Sequence, residues 1–152
     1  MTSMNVATED SGTTGGRSVA STMNATRGTP VYEPTLTVCR NGTLIFTSYG
    51  KWLHPLFELE DYLAEHPIQP ESLLLQDKII GKAAALLIHR LGFRTVKAEV
   101  LSRLGEAVLQ RHRIVYTYEQ LVDRIHCQTE ELLATVEAPE EAYQLVKVRA
   151  GR

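Results

Sequence analysis

The sequence predicts an α/β fold: a three-layer α/β/α arrangement around a mixed five-stranded sheet with strand order 2-1-3-4-5. Three observations lead to this prediction. An Asn-Gly hairpin opens the ordered part of the chain, strand and helix patterns then alternate, and 152 residues with 43% hydrophobic content are enough for one domain with a real core. Strand–helix–strand units give parallel neighbours, whereas a hairpin gives an antiparallel pair, so the sheet should be mixed and have helices on both faces.

The first predicted elements are a hairpin and an amphipathic helix. Two strand-like runs, Leu36–Arg40 and Thr43–Ser48, flank Asn41-Gly42, and this dipeptide tolerates the positive φ angles of a type I′ turn. Apolar residues then recur near a 3.6-residue period over Leu53–Glu65, which predicts a helix that packs on the sheet. Pro55 suits its first turn, where a missing N–H is tolerated.

The centre of the domain is predicted around a strand, a polar turn and an apolar helix. Ser72–Gln76 contains a continuous leucine run, which is typical of a buried strand. A polar turn with Asp77 and Lys78 should follow, and a helix that is apolar all round should open at Gly81-Lys82. Gly92 is its natural C-terminal residue, since glycine adopts the left-handed conformation there.

The second half of the chain continues the alternation. Thr95–Leu101 should be a strand, Ser102 should cap a helix that runs through Arg111, and Ile114–Tyr118 should be the last strand. Three short helical segments complete the prediction: Leu121–Ile125, Glu130–Val136 and Pro139–Val146.

Residues 1–30 form a segment of a different composition. Ser, Thr and Gly account for 15 of these 30 positions, with no apolar periodicity, so we expect a disordered tail before a domain over residues 31–152. Met23 is an alternative start of translation, in which case much of the tail would not be made.

The charge balance and the hydrophobic pattern exclude several partners. The formal net charge of −2 gives no reason to expect nucleic-acid or membrane-surface binding. No apolar run approaches the roughly 20 residues that span a bilayer, and the N-terminus does not resemble a signal peptide. We therefore expect a cytoplasmic protein in which Cys39 and Cys127 are reduced thiols.

Three stretches carry a resemblance to a known family. Cys39–Phe46, Leu53–Leu56 and above all Asp77–Ala85, which reads Asp-Lys-Ile-Ile-Gly-Lys-Ala-Ala-Ala, resemble the DUF1893 family. The similarity extends from about Leu36 to Val146. The family is functionally uncharacterised, and the resemblance implies a fold similar to that of cytidine deaminases. It also implies a possible homo-oligomer.

The residues argue against zinc-dependent deamination. A zinc deaminase needs a His-x-Glu on one helix and a Pro-Cys-x-x-Cys at the start of the next. None of the five histidines is followed two places later by Glu, and Cys39 and Cys127 are far apart. Where the resembling fold would hold Pro-Cys-x-x-Cys, this chain has Asp77–Lys82, so we expect no metal and no cofactor.

The same stretch instead suggests an anion-binding site. Gly81 and Lys82 begin a helix, whose free N–H groups and dipole attract an anion. Lys78 and Lys82 would add positive charge, and Asp77 would orient one of them or bind a ribose hydroxyl. A small phosphorylated ligand such as a nucleotide would fit. The simpler interpretation is that Asp77 caps the helix, the two lysines are solvated and Gly81 is only a turn residue.

Other residues are weaker candidates. His54 and Glu58 share one helix face, and the resembling fold implies that this face borders the same pocket, where they would form an acid–base pair near Asp77. His126-Cys127 would be a nucleophile with its base, although a buried structural cysteine is the simpler interpretation. Five arginines suggest a basic face but are scattered over helix ends and loops: Arg90, Arg94, Arg103, Arg111 and Arg113.

Three classes of function thus stay open. The first is a non-catalytic module that binds a nucleotide or another phosphorylated ligand. The second is a zinc-independent enzyme that uses Asp77, Lys78 and either Lys82 or His54. The third is an interaction or oligomerisation protein without a ligand.

Overall fold

A computed structural model describes residues 32–125 and 128–152, and one compact unit covers Pro34–Arg152. It contains five strands and five helices, together with a single 3-10 turn at Pro70–Ser72. The strands are β1 (Leu36–Arg40), β2 (Thr43–Ser48), β3 (Leu73–Ile80), β4 (Thr95–Ser102) and β5 (Val115–Val122). The helices are α1 (His54–Glu65), α2 (Lys82–Leu91), α3 (Arg103–Arg111), α4 (Gln128–Leu132) and α5 (Pro139–Arg149). Among the described helices, none is both long and apolar enough to cross a membrane.

The five strands form one mixed sheet, as predicted. Their order is β2-β1-β3-β4-β5, with β1 antiparallel to both of its neighbours and β3, β4 and β5 parallel to one another. At the hairpin, Asn41 has φ 52° and Gly42 has φ 81°. These two positive angles confirm the type I′ turn that the dipeptide predicted.

Helix α2 lies at the centre of the helical packing on this sheet. The buried strand residues Leu36, Val38, Leu75, Val96 and Ala98 share one face by register, and α1, α3 and α5 all contact α2 above it. The mixed α/β sheet with order 2-1-3-4-5 is as predicted, and α5 packs on α2. The steps from β2 to β3, β3 to β4 and β4 to β5 cross the sheet in the same direction, so right-handed connections put α1, α2 and α3 on the same side.

Helices α2 and α3 begin and end as predicted. Residues 82–88 of α2 are all buried, and Gly92 ends the helix with φ 101°. Ser102 Oγ accepts a hydrogen bond of 2.9 Å from the Gly105 N–H and so caps α3. Gly105 packs closely on the turn before α2, because a Cβ atom there would lie 3.0 Å from the backbone of Gly81.

Several predicted boundaries are wrong. Asp77 and Lys78 are not in a turn, because β3 continues to Ile80 and Asp77 pairs with Leu36 of β1 and Ala98 of β4. The predicted helical turn at 121–125 is also wrong, because residues 121 and 122 pair with β4 as the end of β5. Helix α4 ends at residue 132 rather than 136, and α5 extends to residue 149. The predicted tail and the pair His126-Cys127 lie outside the described residues.

Candidate functional site

A cavity of about 340 Å³ lies where β3 ends and α2 begins. The loop before α1 and the segment around α4 form its other walls. Most of its lining is apolar, and Asp77 and Lys78 bring polar groups to it near the carboxyl end of β3. The lining residues are Thr35, Gly50, Lys51, Trp52, Leu53, Pro55, Asp77, Lys78, Ile79, Gly81, Ala83, Ala84, Ile125 and Thr129. This is the sheet edge at which ligands bind in open α/β folds, so the predicted location has a real cavity.

Asp77 is the titratable group with the strongest perturbation in the cavity wall. Its side chain is on the sheet face that carries the helices and is half-buried. Burial raises the pKa of the Asp77 carboxyl from 3.8 to about 7, although hydrogen bonds from the backbone of Ile79 and Lys78 oppose this shift. The carboxyl therefore exchanges its proton near neutral pH, which is unusual for an aspartate and common at functional sites.

The first turn of α2 presents its N–H groups at the same place. The N-cap residue is Gly81, no side chain caps the helix, and the first turn contains no acidic residue. Ala83 and Ala84 of this turn line the cavity. Asp77 Oδ1 accepts a long hydrogen bond of 3.4 Å from the Ile79 N–H instead, so the interpretation of Asp77 as the cap of α2 is wrong. The positive end of the helix is thus available to an anion.

Lys82 does not contribute its charge to the cavity. Its side chain is buried, and Nζ donates hydrogen bonds to the Glu137 carboxylate (2.7 Å) and to the Ala134 carbonyl (3.0 Å). Glu137 also pairs with Arg111, and the hydrogen bond from Lys82 is the main reason that the pKa of Glu137 is lowered. The interpretation of Lys82 as a solvated lysine is therefore wrong, and its side chain is not part of the cavity lining. Positive charge at the cavity comes from Lys51 and Lys78, which both line it.

Trp52 is a cavity residue that the sequence analysis missed. Its backbone has φ 58°, which is a strained conformation for a bulky residue, and its indole Nε1 donates a hydrogen bond of 2.8 Å to Thr129 Oγ1. The contact joins the loop before α1 to α4 beside the cavity. The signal was the single tryptophan of the chain, placed between a glycine and the proline of α1.

His54 and Glu58 are not part of the cavity wall. His54 is exposed, and its ring meets the edge of the Trp52 ring at a centroid distance of 5.5 Å. Glu58 accepts a hydrogen bond of 2.7 Å from Ser48 Oγ at the end of β2. The structure therefore brings Asp77, Lys78 and Gly81 together at the cavity, and it gives His54 and Glu58 other partners.

Three of the five arginines considered for a basic face pair with carboxylates: Arg90, Arg103 and Arg111. Arg90 donates to the carboxylates of Glu60 and Glu140, and Arg103 donates to Asp123. No group of three or more His, Cys, Asp or Glu side chains that could hold a metal ion occurs within residues 32–125 and 128–152.

Comparisons with known proteins identify the family. The profile described as a domain of unknown function (DUF1893) matches residues 33–149. A search of the curated proteins finds no match. Among solved structures, a DUF1893 family protein (TM1506) from Thermotoga maritima superimposes with a TM-score of 0.66 and 23% identity, covering 76% of this chain and 80% of that one. This likeness supports the fold, and the match over most of the chain shows that the protein belongs to the DUF1893 family.

Proposed function

We propose that this protein binds a small phosphorylated molecule, with a nucleotide as the best-fitting class, in the cavity between β3 and α2. The observation that carries the proposal is the composition of one cavity of about 340 Å³: an uncapped helix N-terminus, a carboxyl group and a mostly apolar wall. Ligand sites of this size typically combine apolar walls with a few converging polar groups.

Each part of the cavity suits one part of such a ligand. The N–H groups of the first turn of α2 suit a phosphate, and Lys51 and Lys78 add positive charge. Trp52 offers an aromatic surface to a planar ring. Asp77 offers a carboxyl that accepts hydrogen bonds when ionised and also donates one when protonated, as a base edge or a sugar hydroxyl requires.

The proposal uses the resemblance to cytidine deaminases for the fold and not for the zinc chemistry. The strand order 2-1-3-4-5 is compatible with that fold, and the sequence lacks the His-x-Glu and Cys-x-x-Cys that would hold a catalytic zinc. We therefore propose a deaminase-like scaffold whose pocket works without zinc and whose ligand contacts are Asp77, Lys78 and the backbone of Gly81 and Lys82.

A panel of nucleotides and the corresponding nucleosides tests the proposal. We expect at least one nucleotide to raise the melting temperature and to bind more tightly than its nucleoside, because only the phosphate reaches the positive end of α2. Lys78→Ala should weaken binding about fivefold to tenfold, the effect of roughly 1 kcal/mol. Lys97→Ala is the matched control, since Lys97 is exposed on β4 and does not line the cavity. The absence of any nucleotide response, or equal binding of nucleotide and nucleoside, would remove the support for a phosphate site.

A zinc-independent enzyme is the second candidate, and the pKa of Asp77 favours it. A group that titrates near pH 7 is suited to proton transfer at neutral pH. In this case Asp77→Asn would abolish turnover of a nucleotide substrate while the variant still binds it and still unfolds cooperatively. Retained turnover in Asp77→Asn would exclude Asp77 as the general acid or base.

A further inference from the structure

The loop before α1 leaves a large aromatic side chain exposed at the cavity. Trp52 lines the cavity with 40% of its surface accessible, and Ile79 of β3, which lines the same cavity, is 53% accessible. Large apolar side chains that stay exposed in the wall of one cavity are typical of a ligand-binding surface. A bound aromatic or apolar group would cover both of them.

The backbone of Trp52 adopts a conformation that bulky residues rarely take. Its φ of 58° is in the left-handed region, which costs free energy for a residue that carries a Cβ atom. Burial does not offset this cost, because the ring is not part of the core. Strain of this kind persists where the surrounding structure fixes it, and it is concentrated at ligand-binding sites. The neighbours of Trp52 therefore show how the indole is held at the cavity.

Hydrogen bonds fix the loop on the amino side of Trp52. Ser48 Oγ accepts a hydrogen bond of 3.1 Å from the Gly50 N–H, and Thr35 Oγ1 donates one of 2.7 Å to the Gly50 carbonyl. Ser48 is buried and in turn donates a hydrogen bond of 2.7 Å to the Glu58 carboxylate. Both backbone groups of Gly50 are thus held, and the loop has little freedom to carry Trp52 away from the cavity.

Thr129 on α4 orients the indole ring. The indole Nε1 donates a hydrogen bond of 2.8 Å to Thr129 Oγ1, and Thr129 is itself buried, with 4% of its surface accessible. The His54 ring packs against the indole at a centroid distance of 5.5 Å and an interplanar angle of 69°. These two contacts set the plane of the ring before a ligand binds. Stacking depends on the relative orientation of two rings, so a preset plane favours one ligand geometry.

We propose that Trp52 selects ligands that carry an aromatic ring, such as a nucleobase, and that Thr129 is the positioning residue that holds the indole for stacking. This selection rests on the proposed function and adds a second requirement to the phosphate site. Stacking of a base on an aromatic side chain strengthens binding by about tenfold or more. A sugar ring carries hydroxyl groups that would lose water against the apolar wall without finding partners, so sugar phosphates should bind weakly.

Trp52 is the only tryptophan of the chain, so tryptophan fluorescence reports on this site alone. The probes are the common ribonucleoside 5′-monophosphates, their nucleosides, ribose 5-phosphate and inorganic phosphate, each titrated into the full chain. We expect at least one nucleotide to quench the emission of Trp52. The same nucleotide should bind about tenfold more tightly than ribose 5-phosphate, because only the nucleotide brings a ring to the indole.

Calorimetric titration of variants separates ring selection from general damage to the fold. Trp52→Leu should weaken nucleotide binding about tenfold and leave ribose 5-phosphate binding within about twofold, so that the preference for the nucleotide is lost. Tyr49→Leu is the matched control, because Tyr49 is an exposed aromatic residue in the same loop that does not line the cavity. Melting curves check that both variants fold.

Conservative variants of Thr129 test its positioning role. Thr129→Val removes the hydroxyl and keeps the shape of the side chain, so it should weaken nucleotide binding about fivefold, the effect of one hydrogen bond. In the free protein, the same variant should make the indole more accessible to quenching by acrylamide. Thr129→Ser keeps the hydroxyl and should restore both properties. Wild-type behaviour of Thr129→Val in both measurements would remove the positioning role.

The outcomes separate ring selection from the phosphate site. Equal binding of nucleotides and ribose 5-phosphate, or an unchanged preference for the nucleotide in Trp52→Leu, would overturn ring selection and leave the phosphate site intact. Nucleosides that bind and quench Trp52 as strongly as the nucleotides do would support ring selection and overturn the phosphate site. The absence of binding by every probe would overturn both.

Discussion

Replacing Asp77 by asparagine should stabilise the protein at high pH and not at low pH. The folded-state pKa of Asp77 is raised to about 7 from its ordinary value of 3.8. The stability associated with its protonated form is fully present below the unfolded-state pKa and is lost as the pH rises through the folded-state pKa. Asparagine keeps the shape of the side chain and does not titrate, so the variant avoids this loss.

The two pKa values set the size of the effect. A difference of about three pKa units, at 1.36 kcal/mol per unit, corresponds to an upper limit of about 4 kcal/mol between low pH and pH 8. Asp77 borders an open cavity, and water there stabilises the ionised carboxyl, so we expect about 2 kcal/mol. This amount is a large fraction of the stability of a small domain.

Urea unfolding of the wild type and of Asp77→Asn at pH 5, 6, 7 and 8 measures this pH-dependent difference in stability. We expect the difference in unfolding free energy to grow in favour of the variant from pH 5 to pH 8. The other titrating groups are the same in both proteins, so their contributions cancel in the difference. Asp123→Asn is the control, because Asp123 is almost fully exposed. The difference in unfolding free energy between this variant and the wild type should stay constant from pH 5 to pH 8. Parallel pH profiles for Asp77→Asn and the wild type would refute a raised pKa.

Three further predictions concern the packing around α2 and α3. Burial lowers the pKa of His89, and the nearby His112 and Arg94 lower it further, so the unfolding free energy should fall as the pH drops below about 6.5. His89→Gln should make the unfolding free energy less dependent on pH in this range, and acid unfolding measures this. Gly105→Ala should lower the unfolding free energy by about 1 to 3 kcal/mol, because the added methyl group would lie 3.0 Å from the backbone of the Gly81 turn, and chemical denaturation measures this. Glu137→Gln should destabilise the protein more than Lys82→Met does in the same assay, because the first leaves a buried ammonium group without its carboxylate and the second removes the charge.

Local signals predicted the parts of the fold that depend on local chemistry. The Asn41-Gly42 turn, the Ser102 cap and the C-terminal Gly92 of α2 are each fixed by the backbone preferences of one or two residues, and each is confirmed. Asp77 and Lys78 were predicted as a turn because polar residues after a leucine run usually end a strand. Pairing with both β1 and β4 keeps them in β3 instead, and this pairing is not visible in a local pattern.

The candidate site depends on contacts that are distant in sequence. Trp52 bonds to Thr129 across 77 positions, and Lys82 bonds to Glu137 across 55. No periodicity or spacing predicts such pairs, so the first contact was not predicted and the predicted environment of Lys82 was wrong. The common side of α1, α2 and α3, by contrast, follows from the strand order alone, once the common direction of the three crossovers is considered.

Asp77 and Lys82 differ in how well the protein compensates the cost of burying them, and this difference favours a ligand at Asp77. Lys82 is buried with two close partners, a carboxylate at 2.7 Å and a carbonyl at 3.0 Å, so the protein itself compensates its charge. The Asp77 carboxyl accepts backbone hydrogen bonds from Ile79, at 3.4 Å, and from Lys78, both within its own strand, and these do not offset the cost of its burial. The fold therefore gains little from an ionisable group at this position, and uncompensated groups of this kind cluster at functional sites.

A ligand that donates hydrogen bonds to Asp77 would stabilise the ionised form and lower its pKa. The free carboxyl is half protonated at its pKa, so binding near pH 7 would release up to about half a proton from the wild type and none from this position in Asp77→Asn. Calorimetric titrations in two buffers with different ionisation enthalpies measure this number directly. Proton uptake on binding would instead indicate that a phosphate lies beside the carboxyl, and an unchanged proton count would place the ligand away from Asp77.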